Sequence, residues 1–103
     1  MENEYVSLNS LPDYGRLMKE SGYRLAQALQ EVSTGSYFVF GCKEGNEPVA
    51  FVVTYVDSND DLRIQHSYGK HEKYLESLTR YVKKWAKRYE LGKVIVNHVI
   101  GGE

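Results

Sequence analysis

Apolar side chains in the first third of the chain recur three and four residues apart, which is the spacing of an amphipathic helix. The repeating positions are Tyr14, Leu17, Met18, Leu25, Ala28, Leu29 and Val32. Gly22 interrupts this pattern, and a glycine there either weakens one helix or separates two. We therefore predict one or two helices between Ser10 and Thr34.

Three runs rich in β-branched and aromatic residues follow, and they predict strands over residues 36–42, 48–56 and 62–66. The second run is almost continuously apolar, so we expect a central strand that is covered on both faces. In the third run, Leu62, Ile64 and His66 alternate with Arg63 and Gln65, which predicts two faces of different polarity. Short polar links between the runs are typical of hairpins, and we expect an antiparallel meander.

The clearest helical pattern runs from Gly69 to Glu90, and a last strand is predicted from Val94 to Val99. The apolar face of this helix consists of Tyr74, Leu75, Leu78, Tyr81, Val82, Trp85, Ala86 and Tyr89. The pattern predicts an α+β fold with a mainly antiparallel four-stranded sheet, which combines the three-strand meander with the C-terminal strand after the long helix. One or two helices precede the sheet. The 103 residues suit a single domain, residues 1–103.

The order of elements over residues 36–99, about two thirds of the chain, resembles the central part of the GNAT fold of GCN5-related N-acetyltransferases. In that family the loop before the helix reads Gln/Arg-x-x-Gly-x-Gly/Ala, and its backbone amides bind the diphosphate of coenzyme A. Here Gly69 matches, while His66 replaces Gln or Arg and His71 replaces Gly or Ala. The resemblance implies that coenzyme A, where it binds, contacts Gly69, Lys70 and His71. The His71 ring is expected to obstruct the phosphates.

The charges of the chain are distributed unevenly although the net charge is −1. Residues 1–62 carry 4 Lys and Arg against 10 Asp and Glu, and residues 63–103 carry 9 against 4. Six basic residues fall outside the apolar face of the long helix: Lys73, Arg80, Lys83, Lys84, Lys87 and Arg88. This face is interpreted either as a solvated surface or as one that binds nucleic-acid phosphates or an acidic protein.

The compartment is predicted from what the sequence lacks. A single cysteine, Cys42, excludes an internal disulfide, and its place at the end of an apolar run favours a core residue over a reactive thiol. The acidic N-terminus does not resemble a signal peptide. No apolar run reaches the roughly 20 residues of a membrane span. We therefore expect a cytoplasmic protein that does not contact membranes.

Clusters of metal-ligating residue types are present, but their spacing is not that of a known site. His66, His71 and His98 are the only imidazoles, and His-x4-His is not a recognised zinc spacing. Asp57 and Asp60–Asp61 lie in one turn, which lacks the EF-hand pattern and is interpreted as a solvated hairpin. We expect no metal and no cofactor.

No complete catalytic motif is present in the sequence. We therefore expect a small non-catalytic protein that acts by binding another protein, or a second copy of itself, through charged and tyrosine-rich surfaces. Two alternatives stay open. One is an electrostatic nucleic-acid binder that uses the basic helix over residues 70–93, and the other is a GNAT-like acyltransferase or coenzyme A-binding protein.

Overall fold

A computed structural model of the chain describes residues 1–97. The strands are β1 Glu2–Val6, β2 Tyr37–Glu44, β3 Glu47–Val56, β4 Leu62–Gly69 and β5 Val94–Val96. The helices are α1 Gly15–Ser21, α2 Leu25–Ser33 and α3 Glu72–Arg88, and a 3-10 turn over Leu11–Tyr14 precedes α1. None of the helices in this part of the chain is both long and apolar enough to cross a lipid bilayer.

The five strands form one sheet in the order β1-β2-β3-β4-β5. The first three pairs are antiparallel, and β4 and β5 are parallel. The predicted α+β fold and its meander are confirmed, but the sheet has five strands instead of four. The additional strand is β1, in which only Val6 is fully buried. An edge strand with so few apolar residues has no hydrophobic pattern, and it is held by its pairing with β2.

The central strand β3 is covered on both faces, as predicted. Phe51 and Val53 pack in one cluster with α1 and α2, whereas Ala50 and Val52 pack in the other cluster with α3. Successive side chains of a strand point to opposite faces, so a strand between two helical layers is apolar at every position. Cys42 is fully buried in the α3 cluster, and burial raises the pKa of its thiol. The prediction of a core cysteine is therefore confirmed.

Two helix boundaries differ from the sequence pattern for identifiable reasons. Gly22 has a φ of +84° at the end of α1, so the N-terminal region forms two helices. Residues 67–69 continue β4, and α3 begins at Glu72 rather than Gly69. At the other end of the chain, Val94–Val96 forms β5, while predicted strand residues 98 and 99 lie outside the described residues.

Candidate active site

A small cleft lies beside the end of the parallel pairing between β4 and β5. Three residue pairs join the strands, and the amide of Asn97 donates to the carbonyl of Ile64 at 3.0 Å. The cleft measures about 150 Å³ and is lined by Ile64, Gln65, His66, Ser67, Val96 and Asn97.

A β-bulge in β4 lies at the mouth of this cleft. Val53 pairs with His66 and Thr54 pairs with Ile64, so Gln65 is an extra residue on β4. A bulge breaks the alternation of side chains. Gln65 and His66 consequently both face the α1–α2 layer, and the prediction that His66 shares a face with Ile64 is wrong. Register irregularities of this kind leave no periodic signal in the sequence.

His66 is a neutral base held in one orientation. Its ring is half-buried, and burial lowers the pKa of the imidazole below its ordinary value. The Ser21 hydroxyl donates to the carbonyl of Met18 at 2.8 Å, and it lies 3.0 Å from His66 Nε2. Because a hydroxyl has only one proton, Ser21 must accept from Nε2–H. The network thus assigns the proton to Nε2 and leaves Nδ1 as the nitrogen that can accept one.

A second network supports Gln65 from α2. The Tyr23 phenol donates to the carboxylate of Glu31, and Gln65 Nε2 donates to the Tyr23 oxygen at 2.9 Å. Gln27 donates to the same carboxylate at 3.0 Å. Burial, and then the hydrogen bond and charge of Glu31, raise the pKa of Tyr23 well above its ordinary value. Tyr23 therefore keeps its proton at neutral pH and acts as a fixed link between Glu31 and Gln65.

We expect Tyr23→Phe to lower the free energy of unfolding by about 1–3 kcal/mol, because it removes one of the donors to Glu31 and the shorter of the two contacts that Gln65 makes as a donor. Tyr68→Phe is the matched control. Tyr68 packs on the same layer, but its hydroxyl forms no hydrogen bond with residues 1–97. Urea denaturation measures both variants, and equal losses of stability in the two would contradict the role assigned to the network.

The β5 wall of the cleft is fixed by polar side chains from two neighbouring strands. Arg63 donates from Nε to Asp57 Oδ2 at 2.7 Å and from Nη1 to Asn97 Oδ1 at 3.4 Å. The side-chain amide of Asn97 donates from Nδ2 to the Tyr55 hydroxyl at 3.3 Å. These bonds hold the end of β5 beside the cleft.

Gly69 and Lys70, two of the residues predicted to contact coenzyme A, lie at the turn between β4 and α3. A Cβ on Gly69 would lie 2.8 Å from Leu75 Cγ, so glycine is required here for α3 to pack against the sheet. The Lys70 ammonium pairs with Glu47 at 2.7 Å, and its backbone amide donates to the carbonyl of Val49 at 2.9 Å. The match of Gly69 to the family loop thus has a packing explanation that needs no ligand.

His71, the third of these residues, occupies the N-cap position of α3 but does not cap the helix with its side chain. The exposed ring lies edge-on to Tyr74 at a centroid distance of 6.2 Å. The first-turn amides of Glu72 and Lys73 have no acceptor within the helix, and no side chain of residues 1–97 accepts from them. The ring expected to obstruct phosphates instead packs on Tyr74, and these amides stay available.

The six basic residues of α3, Lys73, Arg80, Lys83, Lys84, Lys87 and Arg88, are all exposed. None of them forms an ion pair with residues 1–97. Binding of nucleic acid or of an acidic protein to this face stays a prediction, and so does binding of a second copy of the chain.

The histidines do not converge on a metal site in the described part of the chain. His66 faces Ser21, whereas His71 lies against Tyr74, and His98 is outside the described residues. Within residues 1–97, no three His, Cys, Asp or Glu side chains are grouped closely enough to hold a metal ion.

Two aspartates of the β3–β4 turn accept hydrogen bonds from backbone amides of the turn and of the segment before β5. Asp57 Oδ1 accepts from the amides of Asn59 and Asp61 at 2.8 and 3.0 Å. Asp61 Oδ1 accepts from the amide of Lys93 at 2.7 Å, and Asp60 is exposed with a φ of +63°. These contacts fix the turn against the segment that leads into β5.

Several solved acetyltransferase structures share this fold. A ribosomal-protein-alanine N-acetyltransferase from Brucella melitensis biovar Abortus 2308 superposes with a TM-score of 0.82 and 14% identity, over 100% of this chain and 84% of that chain. An aminoglycoside acetyltransferase from an uncultured soil metagenomic sample gives 0.78 and 13%, over 98% and 79%. A GNAT family acetyltransferase from Staphylococcus aureus gives 0.75 and 14%, over 95% and 86%. This chain therefore has the GNAT fold.

No family model matches the chain, and no curated protein matches it either. The fold nevertheless corrects one expectation. The prediction of a non-catalytic protein that acts by binding another protein is wrong, because the solved structures named above, on which this chain superposes, are acetyltransferases.

Proposed function

We propose that this protein is an N-acyltransferase that moves an acyl group from an acyl-coenzyme A thioester to an amine. The observation that carries the proposal is the cleft between β4 and β5, which opens at the Gln65 bulge in a fold shared with acetyltransferases. The identities to those acetyltransferases are too low to indicate which acyl group or which amine is used. The chemistry is therefore argued from the residues of this chain.

The N-terminus of α3 fits the diphosphate of coenzyme A. This helix is 17 residues long, and its free first-turn amides and positive dipole end favour an anion. Lys73 and His71 add cationic or hydrogen-bonding groups beside the amides of Glu72 and Lys73. Bound there, coenzyme A would supply a thioester-activated acyl group.

His66 supplies the proton acceptor that the reaction requires. The nitrogen of the acceptor amine forms a bond to the acyl carbon as the carbon–sulfur bond breaks, and the electron pair of that bond leaves with the thiolate. The amine must lose a proton in this exchange. The neutral imidazole of His66 can take that proton at Nδ1, while Ser21 holds the ring through Nε2.

A cytoplasmic location is part of the proposal, and it is supported by the buried, unpaired Cys42.

We expect acetyl-coenzyme A to raise the melting temperature, because a ligand bound only by the native state stabilises it by about 2.7 kcal/mol at 100 times its Kd. Lys73→Glu should weaken this binding about tenfold, since it places a negative charge beside the free amides. The substitution does not endanger α3, because acidic residues are favourable at a helix N-terminus. A thermal melt measures the rise in melting temperature, and isothermal titration calorimetry measures the change in affinity.

Lys87→Glu is the matched control, since it makes the same charge change on the last turn of α3. Equal weakening by the two variants would mean that only the net charge matters. A melting temperature unchanged at millimolar acetyl-coenzyme A would refute the proposal. Transfer itself is followed by release of free thiol with a panel of amines, because buried Cys42 contributes little background.

A further inference from the structure

A second concave surface lies at the opposite end of α3 from the proposed diphosphate site. It is a groove of about 570 Å³ between the last turns of α3 and the β1–β3 part of the sheet. We call it the aromatic groove, because its walls include the rings of Tyr5, Phe38, Tyr81, Trp85 and Tyr89, together with Arg88. Its volume falls within the roughly 300–1,000 Å³ that is typical of small-molecule sites.

The rings of the aromatic groove are ordered against one another while two of them remain open to solvent. Tyr5 and Trp85 lie parallel within 2°, and the centroids of Trp85 and Tyr89 are 4.7 Å apart. Tyr5 is 44% exposed and Tyr89 is 59% exposed, and both rank among the most exposed large apolar side chains of residues 1–97. Trp85 and Tyr89 are tilted by 42°, but Tyr5 and Trp85 present parallel ring planes, and rings ordered in advance suit a planar apolar partner that stacks on one of them.

The charge of the groove narrows the class of ligand. Arg88 is the one charged side chain among the residues that line it, and it forms neither an ion pair nor a hydrogen bond with residues 1–97. Lys84, one turn earlier on α3, is also exposed. A cationic ligand would meet like charge, whereas an anionic group could bond to the guanidinium in a bidentate manner.

We propose that the aromatic groove is a binding site for a small planar aromatic anion, a fused or linked ring system that bears one carboxylate or sulfonate. The rings of Tyr5, Trp85 and Tyr89 stack on the apolar part of the ligand, and Arg88 pairs with its charge. This site is separate from the cleft between β4 and β5, so it does not depend on the proposed acyl transfer.

The test uses two probes of similar shape, anilinonaphthalene sulfonate and the uncharged phenylnaphthylamine. Trp85 is the only tryptophan of the chain and lines the groove, so a probe stacked there should shift the emission maximum of the tryptophan itself. We expect the sulfonate to bind at one site per chain. Arg88→Gln should weaken it about tenfold and leave the uncharged probe unchanged, because only the charged pair is lost.

Arg80→Gln is the control, since Arg80 is exposed on α3 and does not line the groove. It should change neither affinity, and unchanged melting temperatures should show that both variants fold. Equal affinity of wild type and Arg88→Gln for the sulfonate would overturn the proposal. It would also be overturned if sedimentation showed a dimer that Tyr89→Glu dissociates, because the groove would then be an interface between copies.

Discussion

Replacement of Gly41 by alanine is expected to destabilise the protein by about 3 kcal/mol, at the upper end of the range for overpacked cores. The added methyl carbon would lie 2.5 Å from Tyr14 Cε2 and closer still to the phenol oxygen. Gly41 and Tyr14 are both fully or almost fully buried, so neither can move into solvent. For a domain of this size the loss corresponds to a fall of about 15 °C in melting temperature, which calorimetry measures.

A second substitution distinguishes a clash with Tyr14 from a restriction of the backbone at residue 41. Gly41 has no positive φ, so alanine meets no conformational restriction there, and the three atoms nearest to the added carbon all belong to Tyr14. On a Tyr14→Leu background, Gly41→Ala should therefore cost much less than it does alone. If the two substitutions were additive, the clash with Tyr14 would not be the cause. Tyr14→Leu also removes the hydrogen bond that the Tyr14 hydroxyl donates to Glu4 at 2.7 Å. Tyr14→Phe should therefore be measured beside it, because this variant gives the cost of losing the hydroxyl alone.

The sequence predicts those helices and strands whose own residues carry a recognisable hydrophobic pattern. The continuous apolar run of β3 and the amphipathic stripe of α3 are of this kind, and both are found where they are expected. The edge strand β1 has no such pattern, because pairing with β2 rather than burial holds it. The clash behind Gly41 is likewise invisible, since Tyr14 lies 27 positions away in the sequence.

The candidate site could be predicted only in part, for a related reason. The family resemblance identifies the turn before α3, but the matching glycine is explained by packing, since a Cβ there would clash with Leu75. The cleft depends instead on one extra residue in β4, which changes the face of His66. Its partner Ser21 lies 45 positions earlier in the chain. In the sequence, Ser21-Gly22 indicates only the end of a helix, so nothing connects it with a histidine on a distant strand.

His66→Gln is expected to lower kcat about 100-fold, the lower range of general-base contributions, in the acyl transfer proposed above. Glutamine can still donate a hydrogen bond to Ser21, but it cannot accept a proton. In the wild type, kcat/KM for acetyl-coenzyme A, measured with saturating amine, should fall as the pH drops through the lowered pKa of His66, because the protonated imidazole cannot act as a base. This acid limb should be absent from the residual activity of His66→Gln.

His71→Gln separates this role from donor binding and from simple damage to the fold. His71 lies at the N-terminus of α3, so its replacement should raise the KM for acetyl-coenzyme A and leave the acid limb in place.

The lowered pKa of His66 should also make the stability of the protein depend on pH. The native pKa of His66 is lower than its unfolded pKa near 6.5, so its contribution is present above that value and is lost as the pH falls through the native pKa. If His66→Gln kept both the wild-type kcat and the acid limb, the base would have to be another group, even though acyl transfer itself could still hold.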